Sequence, residues 1–367
     1  MIEQRIEEIT RHFQFKGEFL GAQPYGYGRI NDTYAVRFHQ GKDGIKNYIL
    51  QRINHLVFKR PEEVMANIDR VTSHLRKKIE EAGGDPERGT INLVPTIDGQ
   101  TFFRSEEGDY WRAHLMIEDA QSYQVAKDQD HYYYASKAFG TFVSLLEDFP
   151  ADQLYVTIPD FHHTGKRFDT FVQAVDEDVF NRAQSAKKEI DFVLERAGEA
   201  TILTELVDQG LMPERVTHND TQFDNVMIDD VTGEGICVVD LDTVMPGLTV
   251  FDFGDSVRSG ANPGGEGTQD LNKVFLDVDI FDRLAHGFLE AASDILTPVE
   301  VDNMVFGCKV ITYELGIRFL TDYLKGDTYF KTKRENQNLD RCRTQLHLVQ
   351  DMESKYEQML SIIEKYR

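Results

Sequence analysis

Residues 217–229 read THNDTQFDNVMID, and residues 238–242 read VVDLD. The first is a polar run in which His218 is followed at a spacing of two by Asp220, and Asp220 after four intervening residues by Asn225. Fifteen residues beyond Asn225, an apolar strand pattern ends in Asp240. Between them lies VMIDDVTGEGICVVD, two strand patterns around the turn VTGEG, and such a hairpin is expected to bring Asn225 and Asp240 together.

The spacing H-x-D-x4-N is that of kinase catalytic loops, and each residue type suits phosphoryl transfer. Asp220, beside an acceptor hydroxyl, orients it and accepts its proton. An amide oxygen and a second carboxylate are hard ligands for Mg²⁺, which assigns Asn225 and Asp240 to the metal. Asp242 is either a second metal ligand or an N-cap or turn carboxylate. The motif alone recurs by chance. Its specificity comes from the acid-terminated strand and the order of elements around it.

Working outward, GAQPYGYGRINDTYAVRF (21–38) and KNYILQRI (46–53) alternate apolar and polar residues around a glycine-containing turn, as antiparallel strands do. KRPEEVMANIDRVTSHLRKKIEEAG (59–83) carries Pro and acids at its start and Gly at its end, the signals of a helix. TINLVPTI, TFFRS and DYWRAHLMIE, within 90–118, read as further strands. From residue 128 the pattern becomes helical: 130–149, 177–198 and 199–210, then long stretches over about 268–294, 297–325 and 335–366. The fold class expected is α+β, a two-lobed protein-kinase-like fold with a small antiparallel β-rich lobe over 1–117 and a larger, mainly helical lobe over 118–367. The last stretch has apolar spacing too irregular for clean heptads and is expected to pack on its own domain.

With 367 residues the chain is large for one core. No window approaches the roughly 18 apolar residues of a membrane span, and MIEQRIEEITRHF lacks the apolar run of a signal peptide, so a cytoplasmic location is expected. Cys237, Cys308 and Cys342 lie far apart in apolar or helical patterns, which favours reduced buried thiols. A formal charge of −23 argues against nucleic acid and anionic membranes as partners. It also means that an anionic nucleotide needs local cations. The loop GANPGGEGTQD lacks the G-K-[ST] ending of a Walker site. The His162-His163 pair in PDFHHT either reaches the substrate or is structural.

THNDTQFDNVMID, VVDLDTVMPGLTVFDFGD, RINDTYAV and YILQRINHLVFKRPEEVMANI resemble the aminoglycoside phosphotransferase-like small-molecule kinases, and within them the N-acetylhexosamine 1-kinase branch, over about residues 21–329. The resemblance implies ATP and Mg²⁺ as cofactors and transfer of the γ-phosphate to the anomeric hydroxyl of a small-molecule sugar, N-acetylglucosamine or N-acetylgalactosamine. It implies a phosphate-covering hairpin formed by Gly26, Gly28, Asn31 and Thr33, with Arg52 in place of the strand lysine. The adenine hinge falls near Met116 and Glu118. Asp252, at a helix start, braces the catalytic loop together with His218, or is a simple helix cap. Arg318 and Tyr329 bind the sugar alongside Asp220. Arg29 stands where the branch pattern has His.

Two other readings remain: a kinase of the same fold acting on another sugar, a choline-like amine or an aminoglycoside, and a non-catalytic binding protein. A protein kinase is disfavoured because no A-P-E-like signature follows the DLD segment.

Overall fold

The computed structural model describes residues 2–26 and 30–367, so Gly28 and Arg29 lie outside the described residues. The chain forms two compact units. The first comprises Met1–Ser122, Asp148–Pro159 and Val226–Pro246, and the second Tyr123–Glu147, Asp160–Asn225 and Gly247–Arg367. Antiparallel strands dominate the first and helices the second, which bears out the α+β expectation.

In the first unit, helix α1 (Ile2–Thr10) precedes strands β1 (Glu18–Pro24), β2 (Asp32–His39) and β3 (Ile45–Ile53), and after helix α2 (Pro61–Glu81) come β4 (Phe103–Arg104) and β5 (Tyr110–Leu115). They form an antiparallel sheet in the order β1-β2-β3-β5-β4. Side chains alternate across a strand, so each strand supplies two faces. Val36, Phe38, Tyr48, Leu50, Trp111 and Ala113 share one face and close a core with Ile6 and Ile9 of α1. Thr33, Gln51 and Arg112 lie on the other, since Gln51 pairs with Thr33 and Arg112 in register. TINLVPTI forms isolated bridges at Leu93 and Thr96 rather than a strand. Pro95, which lacks the N–H a ladder needs, interrupts it.

A second sheet of the same unit joins β6 (Ala120–Gln121), β7 (Val226–Asp229) and β8 (Gly235–Val238), all antiparallel. The hairpin expected at VTGEG is therefore β7–β8, with Val226 opposite Val238. Beyond β8 the chain turns at Asp240, whose φ of 59° is left-handed, a conformation Asp tolerates better than most side chains.

The second unit contains α3 (Gln129–Leu145), α4 (Thr164–Glu177), α5 (Lys187–Glu195), α6 (Thr249–Gly260), α7 (Val278–Ala292), α8 (Met304–Leu324), α9 (Gln337–Ser354) and α10 (Tyr356–Tyr366). α8 is buried along most of its length, packing against α4, α6 and α9. The helix expected over 177–198 is split: left-handed Asp178 ends α4, and its carboxylate accepts from the N–H groups of Arg182 and Ala183 to shape the turn before α5. The final stretch packs on its own unit as expected, broken at Lys355 so that α9 lies along α8 and α10 along α7. The three cysteines are buried and unbridged, and burial pushes the Cys237 thiol up to about 12. Among the described residues no helix is long and apolar enough to cross a membrane.

Candidate active site

The catalytic-loop residues 217–225 belong to the second unit, where α6 fixes their backbone. Asp252, in the first turn of α6 and 1% exposed, accepts from the backbone N–H of His218 (2.7 Å) and of Asn219 (2.8 Å). One turn on, Asp255 accepts from Thr221 N (3.1 Å) and from the Arg258 guanidinium (2.8 Å). Thr221 Oγ1 donates to the Asp252 carbonyl. Two carboxylates one helical turn apart thus take up the amides of residues 218, 219 and 221, so Asp252 holds the loop backbone as well as standing at the helix start. Burial pushes the Asp252 carboxyl up to about 6.

His218 is fully buried against Phe139 and Phe142 of α3, and its Nδ1 accepts from Asp220 N (3.3 Å). With His218 and Asp252 held, the half-buried Asp220 carboxylate is aimed by two amides: Gln222 Nε2 donates to Oδ1 at 2.6 Å and Asn225 Nδ2 to Oδ2 at 3.3 Å. Burial first, and the neighbouring Asp255 carboxylate second, push Asp220 above the ordinary Asp range. Asn225 also donates to the Asp220 carbonyl at 2.8 Å, so its amide oxygen is the hard donor it offers a cation. The sequence reading did not single out Asp255, Arg258 or Gln222. The signal was there in DFGDSVR, where two acids three apart follow a helix start.

Beside the loop, His162 lies between the buried Glu314 carboxylate (Nδ1 to Oε1, 3.0 Å) and the Asn219 carbonyl (Nε2 to O, 3.2 Å). Burial disfavours the Glu314 charge, yet His162, Arg318 and Thr164 together leave its carboxyl below the ordinary Glu value. Arg318, also on α8, reaches within 4.0 Å of Glu314 and stacks over Phe161 and Phe330. Arg167 of α4 donates to the Phe161 carbonyl (3.2 Å), and its burial and the Arg318 charge hold its pKa down. Tyr329 is exposed on a loop whose successive amides at Thr328, Tyr329 and Phe330 all donate to Asp322. In the second unit His162 and Arg318 thus share one carboxylate, Glu314, and His162 also reaches the carbonyl of Asn219, the residue before Asp220. The glycine-rich loop 258–270 is tied down through Glu266, which lies 3.7 Å from Arg258 and 3.4 Å from Arg341.

In the first unit, Gly26 adopts a φ of +74° with open space where a Cβ would stand. Asn31 is buried, and its side chain accepts from Asn54 N (2.9 Å) and donates to Asp242 (2.6 Å). Thr33 accepts from Gln51 (3.0 Å). Arg52 lies on the α1 face of the sheet, where its Nε donates to Asp32 (2.9 Å) and its Nη1 to Asp109 (3.5 Å). Arg112, on the opposite face, donates to both oxygens of Asp242. Met116 N donates to Asn47 O, Glu118 accepts from the Asn47 amide (2.9 Å), and Arg88 stitches the segment through the Glu118 and Asp119 carbonyls and Asp229. Asp240 is exposed at its turn. Among the described residues no group of three or more His, Cys, Asp or Glu forms a ready-made metal cage.

A β-rich unit, a helical unit, and an Asp held on an H-x-D-x4-N loop by carboxylates of the following helix define a kinase-like phosphotransferase architecture. Residues 21–289 match the family model described as the phosphotransferase enzyme family (APH), and the chain belongs to that family. Among solved structures, it is similar to an aminoglycoside phosphotransferase from Alicyclobacillus acidocaldarius, with 12% identity and a TM-score of 0.61 over 98% of this chain and 96% of that one. It is similar to amicoumacin kinase in complex with AMP-PNP, Ca²⁺ and Ami, with 12% identity and a TM-score of 0.60 over 97% and 94%. Spectinomycin phosphotransferase in complex with ADP and spectinomycin matches at 14% identity and a TM-score of 0.57 over 97% and 98%. At these identities the likeness speaks for the fold.

Proposed function

We propose that the chain is a cytoplasmic Mg-ATP-dependent kinase that phosphorylates the anomeric hydroxyl of an N-acetylhexosamine, releasing the sugar 1-phosphate. The observation that carries the kinase reading is the Asp220 carboxylate, fixed by Gln222 and Asn225 on a loop braced by Asp252. Asp220 orients the acceptor hydroxyl and takes its proton as the new P–O bond forms and ADP leaves. A carboxyl held above the ordinary range is a better proton acceptor once ionised than an exposed Asp. Asn225 and Asp240 hold the cation, which offsets the phosphate charge when bound.

In this reading the nucleotide belongs to residues 1–117, with Gly26, Gly28 and Thr33 on the phosphate side and the backbone at Met116 and Glu118 near adenine; Arg52, held by Asp32 and Asp109 on the α1 face, and Asn31, held by Asp242 and Asn54, stand outside that set. Catalysis and acceptor binding belong to 118–367. ADP and AMP-PNP in the two related structures support nucleotide use. Three unbridged cysteines agree with a reducing compartment.

The acceptor surroundings favour a neutral, oxygen-rich molecule over a cationic one. Arg167, Arg318 and His162 share a single buried carboxylate, Glu314, already engaged by His162 and Thr164. Guanidinium groups there donate to sugar hydroxyls or an acetamido oxygen and repel an ammonium. The decisive assay gives the purified chain ATP, Mg²⁺ and, one at a time, N-acetylglucosamine, N-acetylgalactosamine, glucose, glucosamine, ethanolamine and spectinomycin. ADP release is expected with the N-acetylhexosamines, with phosphorus in an anomeric ester. Release with ethanolamine or spectinomycin but neither sugar would transfer the reading to the cationic acceptors.

A further inference from the structure

The DLD segment presents two carboxylates, and the structure treats them oppositely. Asp240 is exposed at its left-handed turn, whereas the Asp242 side chain is 3% exposed. Three N–H donors already converge on Asp242. Arg112 Nη1 donates to Oδ1, and Oδ2 accepts both Arg112 Nη2 (3.1 Å) and Asn31 Nδ2 (2.6 Å). The Arg112 side chain is itself only 5% exposed, and its Nε donates to Gln51 Oε1 at 2.8 Å. Gln51 in turn donates to Thr33, and Asn31 accepts from the Asn54 amide. The chain of contacts Thr33, Gln51, Arg112, Asp242, Asn31, Asn54 thus joins the base of the glycine hairpin, β3 and β5 to the turn that carries Asp240.

We propose that Asp242 is a positioning residue and not a metal ligand: with Arg112 and Asn31 it forms a buried strap that fixes the Asp240 turn, leaving Asp240 as the only carboxylate this segment gives the cation. Three donors leave a divalent ion on Asp242 only a remaining lone-pair site of Oδ1, where it would stand beside the Arg112 guanidinium, a like charge with little solvent to screen it. Asn31, expected from resemblance to cover phosphate, has both ends of its amide spent on the strap. The inference rests on the kinase reading for the role of Asp240, but the strap is a property of the first unit alone.

The test exploits the Asn31–Asp242 contact. In Asp242→Asn the new amide NH₂ faces that of Asn31, donor against donor. In the swap Asn31→Asp with Asp242→Asn, the net charge returns, the amide at 242 donates to the carboxylate at 31, and the amide oxygen at 242 still accepts from Arg112. Two quantities are read for wild type, Asp242→Asn, the swap and Asp240→Asn: the Tm without ligand, and the Mg²⁺ concentration that half-saturates the ADP-induced rise in Tm. Asp242→Asn is expected to lower the Tm by several degrees and to raise half-saturating Mg²⁺ severalfold through the loosened Asp240 turn, and the swap to recover more than half of both changes. Asp240→Asn is expected to raise half-saturating Mg²⁺ at least about tenfold. Should Asp242→Asn not fold, the swap carries the comparison, and a swap that stays unfolded or recovers nothing overturns the strap. A tenfold rise in half-saturating Mg²⁺ for Asp242→Asn that the swap does not reverse makes Asp242 a ligand and overturns the proposal. A wild-type chain with no Mg²⁺-dependent response to ADP counts against the kinase reading instead, and the Tm values still decide the strap.

Discussion

The 217–225 loop and the 240–242 turn, each holding a carboxylate to which we assign a role in the proposed reaction, are fixed by different physics. At the loop, buried acids of α6 accept from backbone N–H groups, so the conformation depends on hydrogen bonds to the main chain. At the turn, a side-chain ion pair closes over 130 residues of sequence and is buried on both sides. Backbone bracing tolerates exchange of many loop side chains. A buried pair fails whenever either partner is lost, because the survivor remains as an unpaired charge.

That contrast can be broken in graded steps. The largest effect is expected for Arg112→Met, which strands Asp242: about 3–5 kcal/mol of unfolding free energy, read by urea denaturation. Next is Arg318→Ala, which should raise the acceptor KM about tenfold, worth about 1.4 kcal/mol, while leaving ATP binding within about twofold. An unchanged acceptor KM would place the acceptor away from α8.

A smaller effect concerns pH. Asp252 has its carboxyl raised to about 6, so between the unfolded value near about 4 and the folded one the native state holds the extra proton. Its contribution to stability is then present below about pH 4 and is lost as pH rises through about 6. The unfolding free energy of wild type relative to Asp252→Asn should accordingly fall by about 1 kcal/mol from pH 5 to pH 7, and a rise would invert the assignment. Last comes Arg52→Met. Arg52 and Asp32 are 40% and 50% exposed, so solvent screens the pair and the loss should stay below about 1 kcal/mol. Equal losses at Arg52 and Arg112 would erase the distinction between the two faces of the sheet.

The same contrast explains what the sequence revealed. The catalytic loop was readable because its chemistry sits within one run whose spacing the backbone enforces, and the hairpin after it was readable from VTGEG. Helix α4 went unseen because His163 caps it without a Ser, Thr, Asp or Asn signal. Arg112 also went unseen. It stands in DYWRAHL between Trp111 and Ala113, and only the register that puts it opposite Gln51, away from the α1 core, shows that it needs a buried counter-ion. Strand alternation does point to such a residue, but not to a partner more than a hundred positions on. Likewise nothing in KGDTYF indicates that Asp322 gathers three successive amides to hold Tyr329.

The most direct measurement compares wild type and Asp220→Asn at saturating Mg²⁺-ATP and N-acetylglucosamine, with nucleotide affinity determined on the same samples. Loss of ADP release by a factor of about 10² to 10⁴, with ATP affinity within about twofold, is expected if Asp220 accepts the hydroxyl proton. Turnover within about tenfold of wild type, at unchanged affinity, would contradict that role and with it the reading of the loop.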